Sequence, residues 1–147
     1  MRVLVDSNVL LRYAQRKHSL FVESTESIAR LVERGEQVFF CAQNIAEFCN
    51  VATRPVEHNG LGLSAFMALK EVANIEATLT LLPDAPEIYT AWKGIVEKFQ
   101  VLGVKVYDAR LVAIMRVYSI KNILTYNVAD FDRYRDIQVL HPSSIAP

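Results

Sequence analysis

Four acids stand where carboxylates can do chemistry together: Asp6, Glu47, Asp108 and Asp130. Asp6 ends the apolar run Val3-Leu4-Val5, and Glu47 follows Val38-Phe39-Phe40-Cys41 by one and a half helical turns. Asp108 opens a segment apolar nearly all round, and Asp130 lies a few residues after Asn122–Leu124. Two carboxylates 4 Å apart repel by about 4 kcal/mol at an effective dielectric near 20. Four together protonate or spread apart unless a cation sits among them. Carboxylates without histidine or thiol partners favour a hard cation that keeps several waters, Mg²⁺ or Mn²⁺ in its place. Such an ion serves phosphoryl chemistry, polarising the phosphate and acidifying an attacking water. Taken singly, each acid has a plainer role. Asp6, Asp108 and Asp130 can cap helices or turns, and Glu47 can be a solvated helix residue.

The elements that must position these acids alternate. Val3–Val5, Val38–Cys41, Leu79–Leu82, Asn122–Leu124 and Gln138–Leu140 read as short buried strands. Between them lie helical patterns. The first runs from a Ser7 or Asn8 cap to about Arg16, and the second over Glu23–Arg34 with Ile28, Leu31 and Val32 on one stripe, stopped by Gly35. The third covers Gln43–Ala52, with Ile45, Phe48, Cys49 and Ala52 on one face and Glu47 pointing away from it. Thr53–Leu63 carries Pro55, Gly60 and Gly62 and reads as a loop. Ser64 caps a helix with Phe66, Leu69, Val72 and Ala73 facing inward, and Ala85–Gln100 carries Ile88, Ala91, Trp92, Ile95 and Phe99 at helical spacing. Gly103 breaks the chain before a central helix from Asp108 to Tyr118. Strands alternating with helices predict an α/β fold with a mostly parallel sheet, which binds ligands beyond the carboxyl ends of its strands.

Composition narrows the classes. At 147 residues the chain suits one domain, spanning 1–147, and 52% apolar against 22% charged residues supplies a core. Two cysteines, Cys41 and Cys49, make no disulfide framework, and His18, His58 and His141 lie at no metal-ligand spacing. No apolar stretch approaches a membrane span and MRVLVD is no signal peptide, so we expect a cytoplasmic protein without a membrane partner. Asp6-Ser7-Asn8 lacks the second aspartate of a haloacid-dehalogenase phosphatase. A Gly-x-x-x-x-Gly-Lys phosphate loop, a Gly-x-Ser-x-Gly elbow and the distal lysine of a receiver domain are all missing from the pattern.

Four segments carry a resemblance: VDSNVLL at Val5–Leu11, QNIAEFCNVATRP at Gln43–Pro55, YDARLVA at Tyr107–Ala113 and LTYNVADF at Leu124–Phe131. In this order and spacing the chain resembles, end to end, the PIN-domain endoribonucleases found as toxins of VapBC toxin–antitoxin pairs. The resemblance implies a parallel five-stranded sheet flanked by helices, with the acidic site at the carboxyl ends of the strands. It implies metal binding and catalysis by Asp6, Glu47, Asp108 and Asp130, with Asn8, Thr125 and Asn127 orienting ligands and water. Many members carry an acid where Asn127 stands, so a tightly held second ion is less expected here. The implied partners are RNA, a cognate antitoxin and a second copy of the chain; Ser64–Ala77 and Ala85–Gln100 offer apolar helices for that dimer.

Sixteen Lys and Arg balance sixteen Asp and Glu. Setting the four site acids aside leaves twelve acids against sixteen bases, so the remaining surface carries an excess of four positive charges. Arg12, Arg16 and Lys17, followed by His18, concentrate that charge near the expected rim, where they can meet RNA phosphates or simply suit a helix end. Arg110 fits a structural ion pair better than a phosphate contact. Tyr13, Phe21, Phe48, Tyr107 and Tyr126 are aromatic candidates for stacking on unpaired bases or for the core, and Tyr126 lies beside the site. The reading is a Mg²⁺-dependent, single-strand-selective endoribonuclease. Its rivals are a processing nuclease without an antitoxin and a non-enzymatic PIN-like binding module.

Overall fold

A computed structural model describes residues 1–146. Arg2–Val5 forms β1 and leads into α1 (Ser7–Ala14) and α2 (Phe21–Glu33). Then come β2 (Gln37–Cys41), α3 (Ala42–Thr53), α4 (Ala65–Thr78) and β3 (Thr80–Leu82). The C-terminal half adds α5 (Glu87–Phe99), α6 (Lys105–Val117), β4 (Asn122–Leu124), β5 (Gln138–Leu140) and α7 (Pro142–Ile145). The strands form one five-stranded, wholly parallel sheet in the order β3-β2-β1-β4-β5. The expected α/β architecture is therefore the observed one.

Both faces of the sheet are covered, which is why its strands are apolar without alternation. Val3 and Val5 of β1, with Val38 and Phe40 of β2, point into a core closed by α1, α2, α3 and α4. Leu4, Phe39, Cys41 and Ile123 point the opposite way, under α5 and α6. Alternate residues of a strand thus feed two separate cores. α6 buries six of the seven residues from Ala109 to Met115, all but Arg110, in keeping with the central place its composition demands.

The structure moves several expected boundaries and faces. α1 stops at Ala14, before Arg16, and its cap is Asp6, whose carboxylate accepts from Ser7 N at 2.7 Å. α2 begins two residues early, at Phe21, and leaves Val32 exposed while Leu31 takes the buried stripe. α3 runs on to Thr53, and a 3₁₀ turn at Val56–His58 organises the expected loop. That loop closes so tightly that a Cβ on Gly60 would collide with the Arg54 carbonyl oxygen. α6 begins at Lys105, because Gly103 adopts a positive φ of 58° and turns the chain straight into the helix. Asp108 lies inside the first turn of α6 and is not its cap.

α4 shows the largest departure. Ser64 caps it as expected, accepting from Met67 N at 3.1 Å. Its buried stripe is Ala68, Val72 and Ile75, whereas Phe66 is 70% and Leu69 58% exposed and Ala73 also faces out. The helix is apolar on two faces, so spacing alone admits two inward stripes. Packing against α3 selects the stripe of Ala68, Val72 and Ile75.

Candidate functional site

In a parallel sheet of order 3-2-1-4-5, connections leave β1 and β4 in opposite directions, and a crevice opens between their carboxyl ends. Asp6 and Thr125 are the first residues past these two strands. Asp6 N extends the pairing by donating to the Leu124 carbonyl at 2.9 Å. Thr125 Oγ1 donates to Asp6 Oδ2 at 2.8 Å. Asn8 Nδ2 contacts Thr125 Oγ1 at 3.0 Å and Asp6 Oδ2 at 3.3 Å, while Asn8 Oδ1 accepts from Tyr126 N at 3.1 Å. Asn127 N donates to Thr125 Oγ1 at 3.0 Å. Asp6, Asn8 and Thr125 are thus one hydrogen-bonded unit across the crevice. Asn127 joins it through its backbone; its side chain is exposed.

Glu47 arrives from α3 and is braced on both oxygens. Ser7 Oγ donates to Oε2 at 2.8 Å and lies 3.5 Å from Asp6 Oδ1, so one hydroxyl joins two acids from distant segments. Gln43 Nε2, one turn before, donates to Glu47 Oε1 at 2.7 Å and to the Tyr107 carbonyl at 2.9 Å. Arg110 holds Gln43 Oε1 at 3.1 Å and pairs with Asp84 at 3.2 Å, the structural ion pair expected of it. This chain of bonds ties α3 to α6 at the mouth of the site. Asp108 projects from α6, and Asp130 from a 3₁₀ turn at Val128–Phe131. Lys105 Nζ lies 2.5 Å from Asp130 Oδ1. An open cleft of about 560 Å³ is lined by Gln43, Glu47, Lys105, Tyr107, Asp108 and Asp130.

Electrostatics follow from this crowding. Asp6 is 5% exposed, and burial pushes its carboxyl up from 3.8 to about 6, against hydrogen bonds from Thr125 and Ser7 N and with repulsion from Glu47. Asp108 rises from 3.8 to about 7, first through burial, then through repulsion by Asp130 and Asp6, with Lys105 opposing. The Lys105 ammonium is favoured by its bond to Asp130. All donors are hard oxygens, and burial first, with repulsion between neighbouring acids second, raises the two carboxyls. Among the described residues no three acidic, histidine or cysteine side chains converge tightly enough to enclose a bare ion. A hard cation that keeps several waters needs only one or two direct carboxylates and reaches the others through water. The donor chemistry therefore fits such an ion.

Among the candidate site residues, the basic ones and Tyr126 are placed apart from the cleft. Arg16 and Lys17 line a different and larger cleft of about 960 Å³, between the end of α1 and α4, together with His18 and Lys70. Arg12 bonds Gln15 Oε1 at 2.6 Å. α1 starts at the carboxyl edge of the sheet and carries its last turn away from it. The Tyr126 hydroxyl bonds Ser24 at 2.8 Å and its ring meets His141 edge-on, so it packs toward α2 and α7. Phe48 is fully buried, whereas Tyr107 is 60% exposed on the cleft wall. Three residues of the site escaped the sequence reading: Ser7, Gln43 and Lys105. Helical spacing carried the signal for two of them, since Gln43 precedes Glu47 by four residues and Lys105 precedes Asp108 by three.

The profile of the PIN domain matches residues 3–137. The chain belongs to the PIN domain family. This PIN domain is similar in fold to VapBC2 from Rickettsia felis bound to a promoter DNA fragment, with a TM-score of 0.72, 12% identity and coverage of 96% of this chain and 98% of that one. VapBC-1 from nontypeable Haemophilus influenzae gives a TM-score of 0.67 at 16% identity, covering 97% and 99%. VapC20 from Mycobacterium tuberculosis, described as a sarcin–ricin loop cleaving toxin, gives 0.65 at 14% identity, covering 90% and 95%. No curated protein matches by sequence. No helix of the described residues is long and apolar enough to cross a membrane.

Proposed function

We propose that this PIN domain is a Mg²⁺-dependent endoribonuclease that hydrolyses single-stranded RNA as the toxin of a toxin–antitoxin pair. The observation that carries the reading is the gathering of acids from distant segments, Asp6 joined to Glu47 through Ser7 and Asp108 beside Glu47 and Asp130 on the cleft, where burial and mutual repulsion push Asp6 to about 6 and Asp108 to about 7. A carboxyl cluster that opposes its own ionisation makes physical sense as a cation site. Membership of a family of nucleases and the toxin folds it shares support the same conclusion.

Asp6, Glu47 and Asp108 would hold Mg²⁺ or Mn²⁺, which when bound would polarise the scissile phosphate and lower the pKa of an attacking water. The residues of the chain do the positioning. Thr125 and Asn8 fix Asp6 Oδ2, leaving the carboxylate no free rotation. Ser7 and Gln43 hold Glu47 toward the cleft. Asp108, raised by burial and then by repulsion from Asp130 and Asp6, offers a carboxylate that a cation would favour, and Asp130 closes the far wall. The exposed Tyr107 ring offers a surface on which an unpaired base can stack. The VapBC structures are of toxin–antitoxin pairs, and a protein antitoxin is the partner this reading entails. A second copy is the other, and the exposed Phe66 and Leu69 face of α4 is available to it.

The test is cleavage of unstructured and hairpin RNA with Mg²⁺ or chelator, using the wild type and Asp108→Asn. Cleavage of the unstructured RNA that needs Mg²⁺ and falls by more than about 100-fold in the variant supports the proposal. RNA binding without cleavage at any Mg²⁺ or Mn²⁺ concentration refutes it in favour of a binding module. Equal cleavage of DNA favours a general processing nuclease.

A further inference from the structure

Among the described residues, Lys105 is the one ammonium on the wall of the acidic cleft. It sits one helical turn before Asp108 on α6, with Nζ 2.5 Å from Asp130 Oδ1. Its side chain is 44% exposed, and Asp130 is the partner that anchors it. We infer that the Lys105 ammonium stands in for a second divalent cation on the Asp130 side, so that the site takes a single hydrated ion, which Asp6, Glu47 and Asp108 reach directly or through its waters. This inference rests on the metal-dependent reading above and adds to it the stoichiometry of the site.

Charge balance carries the argument. Ionised, the four acids hold four negative charges. One divalent ion and the ammonium leave one negative charge; a second divalent ion beside an unmoved Lys105 would turn the empty site positive before any phosphate arrived. The ligand set points the same way. Asp130 is already taken by Lys105, and the residue closest to it in sequence on the β4 side of the turn with a polar side chain is Asn127, a neutral amide. A second ion would have to displace the ammonium from Asp130 Oδ1 or bind beside it on Oδ2 alone. The ammonium has three donors and spends one on Asp130, which leaves others for a phosphate oxygen entering the cleft. A lysine can do this because it is a point charge on a flexible stem, able to keep Asp130 while following the substrate. Lys105 is thus a positioning residue for Asp130 and a fixed charge facing the substrate.

The experiment counts ions without RNA and without activity. Purified wild type, Lys105→Met and Lys105→Arg are titrated with Mn²⁺ by calorimetry and by electron paramagnetic resonance of the free ion, each first checked for a cooperative melt in chelator. Wild type and Lys105→Arg are expected to bind one Mn²⁺ per chain. Lys105→Met is expected to bind two, the second at least about tenfold tighter than any second event in the wild type. Asp130→Asn, which removes the second place altogether, is expected to stay at one. Two ions in the wild type overturn the inference, as does Lys105→Met remaining at one. Absence of Mn²⁺ binding to every variant overturns the metal-dependent reading itself, and this inference with it.

Discussion

Replacing Asp6 by Asn separates the electrostatic cost of the site from its hydrogen bonding. In metal-free protein Asp6 holds its proton with a pKa of about 6 in the fold, against an ordinary 3.8. The folded state therefore binds the proton more tightly than the unfolded one. Its contribution is favourable below about pH 4, is lost as pH rises from there to about 6, and is flat above. The loss is worth on the order of 3 kcal/mol. Asp108, pushed to about 7, acts in the same direction and extends the window upward, though its partial exposure reduces its share. Asn does not titrate, and it caps α1 as well as Asp does. What it loses is an acceptor: Asp6 Oδ2 receives both Thr125 Oγ1 and Asn8 Nδ2, and an amide NH₂ turned toward them would face donors. That mismatch costs about 1–2 kcal/mol at every pH. In chelator the variant should thus be less stable than the wild type by about 1–2 kcal/mol at pH 4 and more stable by a similar amount at pH 8. For a chain of this size that is a Tm difference of about 2–8 °C, opposite in sign at the two pH values. At pH 8 added Mn²⁺ should raise the Tm of the wild type and leave the variant nearly unmoved. Calorimetric melts at both pH values, with and without metal, read all of this. A variant destabilised equally at pH 4 and pH 8 would refute the argument.

Thr125→Val keeps the shape but removes the donor to Asp6 and the acceptor for Asn127 N; it should cost about 1–3 kcal/mol at pH 8 and less at pH 4, measured by urea unfolding. Arg12→Ala with Arg16→Ala should weaken RNA binding and flatten its salt dependence by about 0.7 in log–log slope per lost phosphate contact, while cleavage at saturating RNA holds because both arginines stand apart from the acidic cleft. Unchanged affinity and slope would mean that the basic cluster serves the helix end alone. Asn127→Asp adds a carboxylate beside Asp130; the variant should melt lower in chelator and cleave at lower Mg²⁺, and an unaltered Mg²⁺ requirement would count against Asn127 lying at the site's edge.

Much of this architecture is written locally. Val3–Val5 and Val38–Cys41 are continuous apolar runs, and only burial on both faces of a parallel sheet accommodates such runs, so strand type and fold class were legible. The positions of Asp6, Glu47 and Asp130 after strand ends, and of Asp108 near the start of the central helix, followed from the same alternation, together with the four segments that mark the family. Other features could not be read that way. Strand order brings Thr125 beside Asp6 across 119 positions, and no local signal encodes that pairing. α4 is apolar on two faces, and the packing partner alone decided that Ala68, Val72 and Ile75 turn inward while Phe66 and Leu69 stay in solvent. The start of α6 moved three residues upstream because a positive φ at Gly103 lets the helix begin before its first acid, and that shift is what puts Lys105 within reach of Asp130. Periodicity and residue type determine which elements form, because these depend on neighbours in the chain. The partners of a buried carboxylate depend on residues far apart in sequence, and only the tertiary structure brings those together.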